Sequence, residues 1–364
     1  MNNEKIPEFV PGPPGTGKTH KWLKKTYAEF LQKYPWDRIV VLSHTNTAAK
    51  EIIKAVNKLP ELVNIPDTNL ENQICTIHSY FRGEYLPLQK YEKEEHKKFC
   101  SENTPMKHWN KPKSWDKHPL YEFSSHAHGK ELTFDEYWAV CDPQRYEPYK
   151  LHPLKELKIK YDKFRDKYKK LSFEDMIDNF RFYAEIPNDI DILIVDEAQD
   201  CSKPQIKALQ KAATFAKRFI FVGDADQTIH EYAGSDPNYF YKLGSTEESK
   251  NNELTEGLRC GETINRICKK IILPVWKKWG VNAERTWTPV AGIKGKSYWI
   301  PSLAQSCIAN DILIEKILNT NETFLFTYRG NPTHKHINEY LETNGIDYKL
   351  VSNDHPHVSR KHFR

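Results

Sequence analysis

Gly12-Pro13-Pro14-Gly15-Thr16-Gly17-Lys18-Thr19 is the stretch on which the fold turns. It fits the spacing G-x-x-x-x-G-K-S/T and stands between an apolar run at residues 8–10 and a helical pattern from Lys18 to about Gln32. Its glycines let backbone N–H groups turn inward around a phosphate, and the helix that starts at Lys18 adds its positive dipole end. The Lys18 ammonium suits β- and γ-phosphates, and the Thr19 hydroxyl suits Mg²⁺. A glycine-rich turn can be only a turn, but the strand before it and the helix after it favour ATP held with Mg²⁺ by residues 12–19.

Outward from this loop, apolar runs alternate with helical patterns. Residues 38–42 and 73–77 read as buried strands and 46–59 as a helix between them. The rhythm breaks over 83–170 and resumes with a helix near 173–183. Further strands are expected at 190–195, 218–222, 297–300, 323–327 and 346–350. Continuous apolar strands separated by helices predict an α/β fold with a parallel sheet covered on both faces. The simplest plan is one α/β domain split by an insertion, followed by a second α/β domain from about Asn251.

Two later strands end in acids. Ile192-Leu193-Ile194-Val195 runs into Asp196-Glu197-Ala198-Gln199-Asp200. Asp196 is placed to hold Mg²⁺, and Glu197 to orient and deprotonate an attacking water. An acidic pair can also serve only as helix N-terminal charge, but the aliphatic run and the upstream phosphate loop favour the site. Phe219-Ile220-Phe221-Val222-Gly223-Asp224-Ala225-Asp226-Gln227 repeats the pattern at the edge where ligands gather in open α/β sheets. Gln227 can sense a γ-phosphate as a neutral donor and acceptor. Tyr232, five residues on, is by itself more in keeping with packing.

Composition narrows the class. The 364 residues are 28% charged, and mean hydropathy is −0.74; no run approaches the ~20 apolar residues of a membrane span. At 38% hydrophobic the chain can build cores. Seven cysteines without a C-x-x-C pair argue against a disulfide scaffold or zinc ribbon, and the phosphate loop begins too early for a signal peptide, so a cytoplasmic setting is expected. Four of the five net positive charges lie in 83–170, which has 19 Lys and Arg against 15 Asp and Glu, with 15 aromatics. Such a module can bind single strands, though composition by itself favours an ordinary small domain with a lysine-rich surface. Leu154, Leu157, Tyr161, Phe164, Tyr168 and Leu171 recur at helical spacing, which makes those tyrosines packing residues. The histidines of the insertion (His96, His108, His118, His126, His128 and His152) match no zinc spacing, so no metal site is expected from them.

Together these segments resemble a superfamily 1 DNA helicase of the UvrD/Rep/PcrA type. Residues 42–49, Leu-Ser-His-Thr-Asn-Thr-Ala-Ala, resemble its motif Ia, and Cys75-Thr76-Ile77-His78-Ser79 its T-x-H-S motif. Leu171-Ser172-Phe173-Glu174-Asp175-Met176 is similar to the segment before motif II. Residues 196–200 take the family form D-E-A-Q-D, and 223–230 resemble motif III. Leu254-Thr255-Glu256-Gly257-Leu258-Arg259 stands where the family has motif IV.

The resemblance implies a P-loop NTPase with two RecA-like domains, the first formed by 1–82 and 171–250 and carrying a mainly helical insertion at 83–170. The second, 251–364, is expected to be incomplete. It implies ATP in the cleft between the domains and single-stranded DNA, or a single-/double-strand junction, across their top. Thr45, Asn46, Thr76, His78 and Tyr232 would touch the strand, and Arg259 would face the γ-phosphate. The chain departs from the family at His230, Ala233 and Gly257-Leu258, has no adenine-contacting glutamine segment before Gly12, and shows no motif V or VI. The expectation is therefore an ATP-dependent helicase or translocase in truncated form. The alternatives are an ATP-gated single-strand-binding module and a P-loop ATPase subunit whose missing motifs come from a protein partner.

Overall fold

The computed structural model describes residues 5–82, 119–146, 150–167, 173–278, 287–292 and 343. The chain divides into two compact units, Met1–Gly295 and Lys296–Arg364, and all described residues except Thr343 belong to the first. The strands expected at 297–300, 323–327 and 346–350 lie outside the described residues.

The first unit is built on five strands, β1 (Glu8–Pro11), β2 (Ile39–Ser43), β3 (Ile74–Thr76), β4 (Ile192–Val195) and β5 (Arg218–Gly223). They form one all-parallel sheet in the order β1-β5-β4-β2-β3, with Val10 opposite Val222 and Val41 opposite Ile194. Successive side chains on a strand point to opposite faces. Ile39, Val41, Ile192, Ile194, Ile220 and Val222 therefore pack on one side, against Leu23, Tyr27, Phe30, Ile52 and Val56. Val40, Leu42, Leu193, Val195, Phe219 and Phe221 pack on the other, against Ile177, Phe180, Ile206 and Leu209. Both faces are dry, which is why these strands read as unbroken apolar runs. Burial of each such aliphatic side chain contributes roughly 1.5–3 kcal/mol. All five strands run the same way, so their carboxyl ends, and the loops after them, meet at one edge.

Helix α1 (Lys24–Leu31) is preceded by a wider-wound segment, Lys18–Leu23. There the Gly17 carbonyl accepts from both Lys21 N (2.9 Å) and Trp22 N (3.0 Å). Helix α2 (Asn46–Val56) stops short of the expected Leu59. Pro60 drives the residue before it into extended backbone, and Leu59 has φ −74° and ψ 138°. Helices α3 (Asp67–Gln73) and α4 (Ile77–Arg82) bracket β3.

The described part of the insertion is helical: α5 (Pro119–Gly129), α6 (Phe134–Val140) and α7 (Leu151–Lys167). Thr133 and Glu136 close a capping box at the start of α6. Leu154, Leu157 and Tyr161 are buried with Leu120, Phe123, Tyr137 and Tyr146 in a cluster separate from both sheet faces, and Phe164 packs against it. Tyr161 is a packing residue, as its spacing predicts; Tyr168 and Leu171 lie outside the described residues. The insertion meets α8 (Phe173–Phe182) and α9 (Lys203–Ala212) along a charged seam. Glu131 bridges Arg181 (2.7 Å) and Lys207 (2.6 Å), while Asp178 bridges Arg181 (3.0 Å) and His128 (2.8 Å).

Helices α10 (Pro237–Gly244), α11 (Glu247–Asn251) and α12 (Glu262–Lys278) follow. The domain start expected near Asn251 falls inside a compact unit that runs to Gly295. Backbone bonds account for this: Leu254 N donates to Pro11 O (2.8 Å) and Leu258 N to Gly15 O (2.7 Å). Among the described residues no helix is long and apolar enough to cross a membrane.

Candidate active site

The phosphate loop leaves β1 and is tied at once to the neighbouring strand, Gly12 N donating to Gly223 O (2.9 Å). Pro13 and Pro14 stiffen the turn, and both Thr16 N (3.3 Å) and Thr16 Oγ1 (2.8 Å) donate to Pro13 O. Gly15 (φ 75°) and Gly17 (φ 79°) take left-handed backbone, which a side chain would strain. A Cβ on Gly15 would stand 2.7 Å from the Arg259 Cβ, so the exposed Arg259 sits directly on the loop. Lys18 is buried and its Nζ donates to Gly12 O (2.9 Å), 4.0 Å from Glu197 Oε1. A lysine held there covers the space the loop encloses with positive charge.

Across from it, β4 ends on Asp196, which is 1% exposed and whose N–H still continues the sheet to Leu42 O (2.8 Å). Thr19 Oγ1 donates to Asp196 Oδ2 (2.9 Å). Burial, and then the Glu197 charge, push the Asp196 carboxyl up to about 6 against the opposing pull of Thr19 and Lys18. Glu197 takes left-handed backbone (φ 51°, ψ 42°), an uncommon conformation for a residue with a side chain, and this turns it out of the strand direction.

The spacing of the sequence did not reveal Gln199. Its Nε2 donates to Glu197 Oε2 (2.8 Å) and its Oε1 accepts from Asp224 N (3.0 Å), so one buried amide ties the two acidic strand ends together. A Cβ on Gly223 would collide with that amide oxygen. Its only signal was its place inside D-E-A-Q-D. Gln227 in turn donates from Nε2 to Asp224 Oδ2 (2.6 Å). Thr19, Asp196, Glu197, Gln199, Asp224 and Gln227 thus form a polar chain along the carboxyl edge of the sheet.

The strand-contact candidates gather where β2, β3 and β5 end: Thr45 and Asn46 at the start of α2, Thr76 closing β3, His78 in α4 and Tyr232 beyond β5. Thr45 is exposed and caps α2, its Oγ1 accepting from Ala48 N (3.1 Å); Asn46 is exposed in the first turn. Thr76 is 9% exposed and its hydroxyl accepts from Ser79 N (3.1 Å), so it shapes the turn into α4. The His78 ring packs on Phe173 at 4.9 Å, and burial pushes its pKa down. His44 was also missed: its Nε2 lies 3.3 Å from the buried Cys201 Sγ. Burial, together with His78 and His230, pushes it down to about 3. Tyr232 is 42% exposed, with its hydroxyl 3.1 Å from His230 Nδ1.

No curated protein sequence matches the chain significantly. The family model described as the UvrD/REP helicase N-terminal domain matches residues 1–247. That match spans the whole described parallel sheet, the phosphate loop and both acidic strand ends. With the parallel α/β core as its structural counterpart, the chain belongs to the UvrD-like superfamily 1 helicases, whose work depends on ATP.

Proposed function

We propose that this chain is an ATP-driven single-stranded DNA translocase or helicase. The observation that supports the reading is the polar chain from Thr19 through Asp196, Glu197, Gln199 and Asp224 to Gln227, at the sheet edge from which the segment bearing Tyr232 also leaves β5. In this reading the backbone of residues 12–19 cradles the phosphates of ATP, and Lys18 neutralises the β- and γ-phosphates. Glu197, held by Gln199, orients and deprotonates the attacking water, and Gln227 senses the γ-phosphate. Arg259 stabilises charge on the phosphoryl group in flight.

The donors fit Mg²⁺. The cation prefers hard oxygen ligands and is commonly held by one carboxylate together with substrate phosphates. Thr19 Oγ1 and Asp196 Oδ2 supply such a pair, and burial with the neighbouring Glu197 charge pushes the Asp196 acid up to about 6 despite the pull of Lys18, so a cation there would relieve it. When bound, Mg²⁺ draws charge from the phosphate oxygens. Thr45, Asn46, Thr76, His78 and Tyr232 would line the strand path. The domain plan that accompanies this reading assigns 1–82 with 171–250 to the first RecA-like domain, 83–170 to an inserted subdomain and 251–364 to the second.

The test measures ATP hydrolysis with and without a single-stranded oligonucleotide. Stimulation is expected in the parent, and Glu197→Gln should bind ATP and Mg²⁺ without turnover. Strand binding without turnover in the parent would assign the gated binding module instead. A folded parent that neither binds nor responds to the oligonucleotide would sink the reading.

A further inference from the structure

We propose that His126, in the inserted subdomain, is a positioning residue that holds Tyr232 for strand binding; this rests on the strand-stacking role given to Tyr232 above. His126 lies on α5 and is 4% exposed. Its Nδ1 stands 2.8 Å from the Tyr146 hydroxyl and 3.3 Å from that of Tyr137, and the two hydroxyls are 2.8 Å apart. Phe123 packs edge-on against both tyrosine rings at 5.0 Å. A ring so enclosed and hydrogen-bonded has one orientation. In that orientation it meets the Tyr232 ring edge to face, with centroids 4.9 Å apart and planes at 74°.

The backbone reinforces the contact. The end of α5 abuts the loop of Tyr232 glycine against glycine: a Cβ on Gly129 would strike the Ala233 carbonyl, and one on Gly234 (φ 103°) would strike the Gly129 backbone. Behind the loop, Ser235 Oγ donates to Asp200 O (2.8 Å), which ties it to the acidic strand end. His230 meets the Tyr232 hydroxyl from its own side. Tyr232 is thus held on several sides and still open to solvent on another, the arrangement a stacking platform needs. A side chain ordered before binding loses less freedom when the base arrives. The insertion thereby acts on the strand through the loop that also carries Gln227.

The experiment is a double-mutant cycle on single-stranded oligonucleotide affinity with the full chain. His126→Gln keeps a partner for the two hydroxyls but removes the ring, whereas His126→Phe keeps the ring. His126→Gln is expected to weaken binding roughly three- to tenfold, the scale of an edge-to-face ring contact, and His126→Phe to retain most of the affinity. In a Tyr232→Ala background His126→Gln should have no further effect, and the DNA-free rate of ATP hydrolysis should not respond to it. Equal weakening in both backgrounds, or none in the parent, would overturn the inference and leave the strand reading of Tyr232 intact. If Tyr232→Ala binds as the parent does, that reading falls and the inference with it. Should His126→Gln fail to fold, Gly234→Ala enters the same cycle, since it displaces the loop without entering the insertion's core.

Discussion

Asp196 and His44 are both enclosed near the same sheet edge, and they respond to pH in opposite senses. Asp196 has a folded value of about 6 against an ordinary 3.8, so the folded chain holds a proton that the unfolded chain has lost. Without metal, its burial opposes folding above about pH 6 and is relieved as pH falls through that value. Mg²⁺ competes with the same proton. The Mg²⁺ concentration for half-maximal binding should therefore rise, by up to about tenfold per pH unit below 6, and not change between about pH 7 and 8. An affinity that ignores pH across 6 would remove Asp196 from the metal site. His44 sits near 3 against 6.5, so its neutral ring contributes stability that is full above about pH 6.5 and declines as pH falls towards 3. Asp196 acts oppositely over the same range, so the decline is read as a difference: the excess stability of the parent over His44→Gln in urea unfolding should narrow from about pH 7 to 4.5. Gln199→Ala should leave nucleotide affinity near the parent's and lower the maximal rate roughly ten- to a hundredfold, because Glu197 loses the amide that aims it. A change confined to affinity would instead give Gln199 a binding role.

Among elements, the segment 254–259 is fastened to the phosphate loop by Leu258 N to Gly15 O (2.7 Å) and by Lys21 to Glu256 (2.6 Å). The exposed ion pair adds little; the backbone bond and the closeness of Gly15 to Arg259 define the contact. Gly15→Ala meets both a left-handed backbone and the Arg259 Cβ, at a cost of about 1–3 kcal/mol. The expected outcome is a small loss of stability with a much larger loss of hydrolysis, read by unfolding and steady-state rates on one preparation. Equal activity would show that Arg259 works without this seat. Thr45 poses the converse question, since its hydroxyl already caps α2. Thr45→Ser, which preserves the cap, should keep both stability and strand affinity, while Thr45→Ala should lose about 1 kcal/mol of stability.

At the scale of the molecule, the insertion has its own apolar cluster but is bolted to the sheet domain by Glu131, Arg181, Lys207, Asp178 and His128. Removing 83–170 with a short linker should leave a sheet domain that unfolds cooperatively, because among the described residues the two sheet-face cores draw none from it. Strand affinity should fall at least as far as in Tyr232→Ala. Loss of cooperative unfolding would show that the insertion shares the core. Binding of the intact chain should weaken steeply with salt if lysines and arginines neutralise phosphates, and a flat response would leave stacking alone to explain affinity.

The phosphate loop, the acidic strand ends and the five strands of the described sheet were legible because their causes are local. Gly15 and Gly17 announce left-handed turns, and Ile192–Val195 announces a strand buried on both faces. The same is true of the α7 stripe through Tyr161. Gln199 joins residues close in sequence with one 25 positions on, and His126 meets Tyr232 across more than a hundred, so neither pairing leaves a periodic trace. The attachment of 254–259 to the phosphate loop was equally invisible, for a backbone hydrogen bond carries no residue signature. The sequence by itself determined which residues could carry the chemistry and which faces would be dry, since backbone geometry and hydrophobic period act within a few residues. Only the tertiary structure decided which of those groups touch, because the sheet order β1-β5-β4-β2-β3 sets which strand ends are neighbours along the shared carboxyl edge.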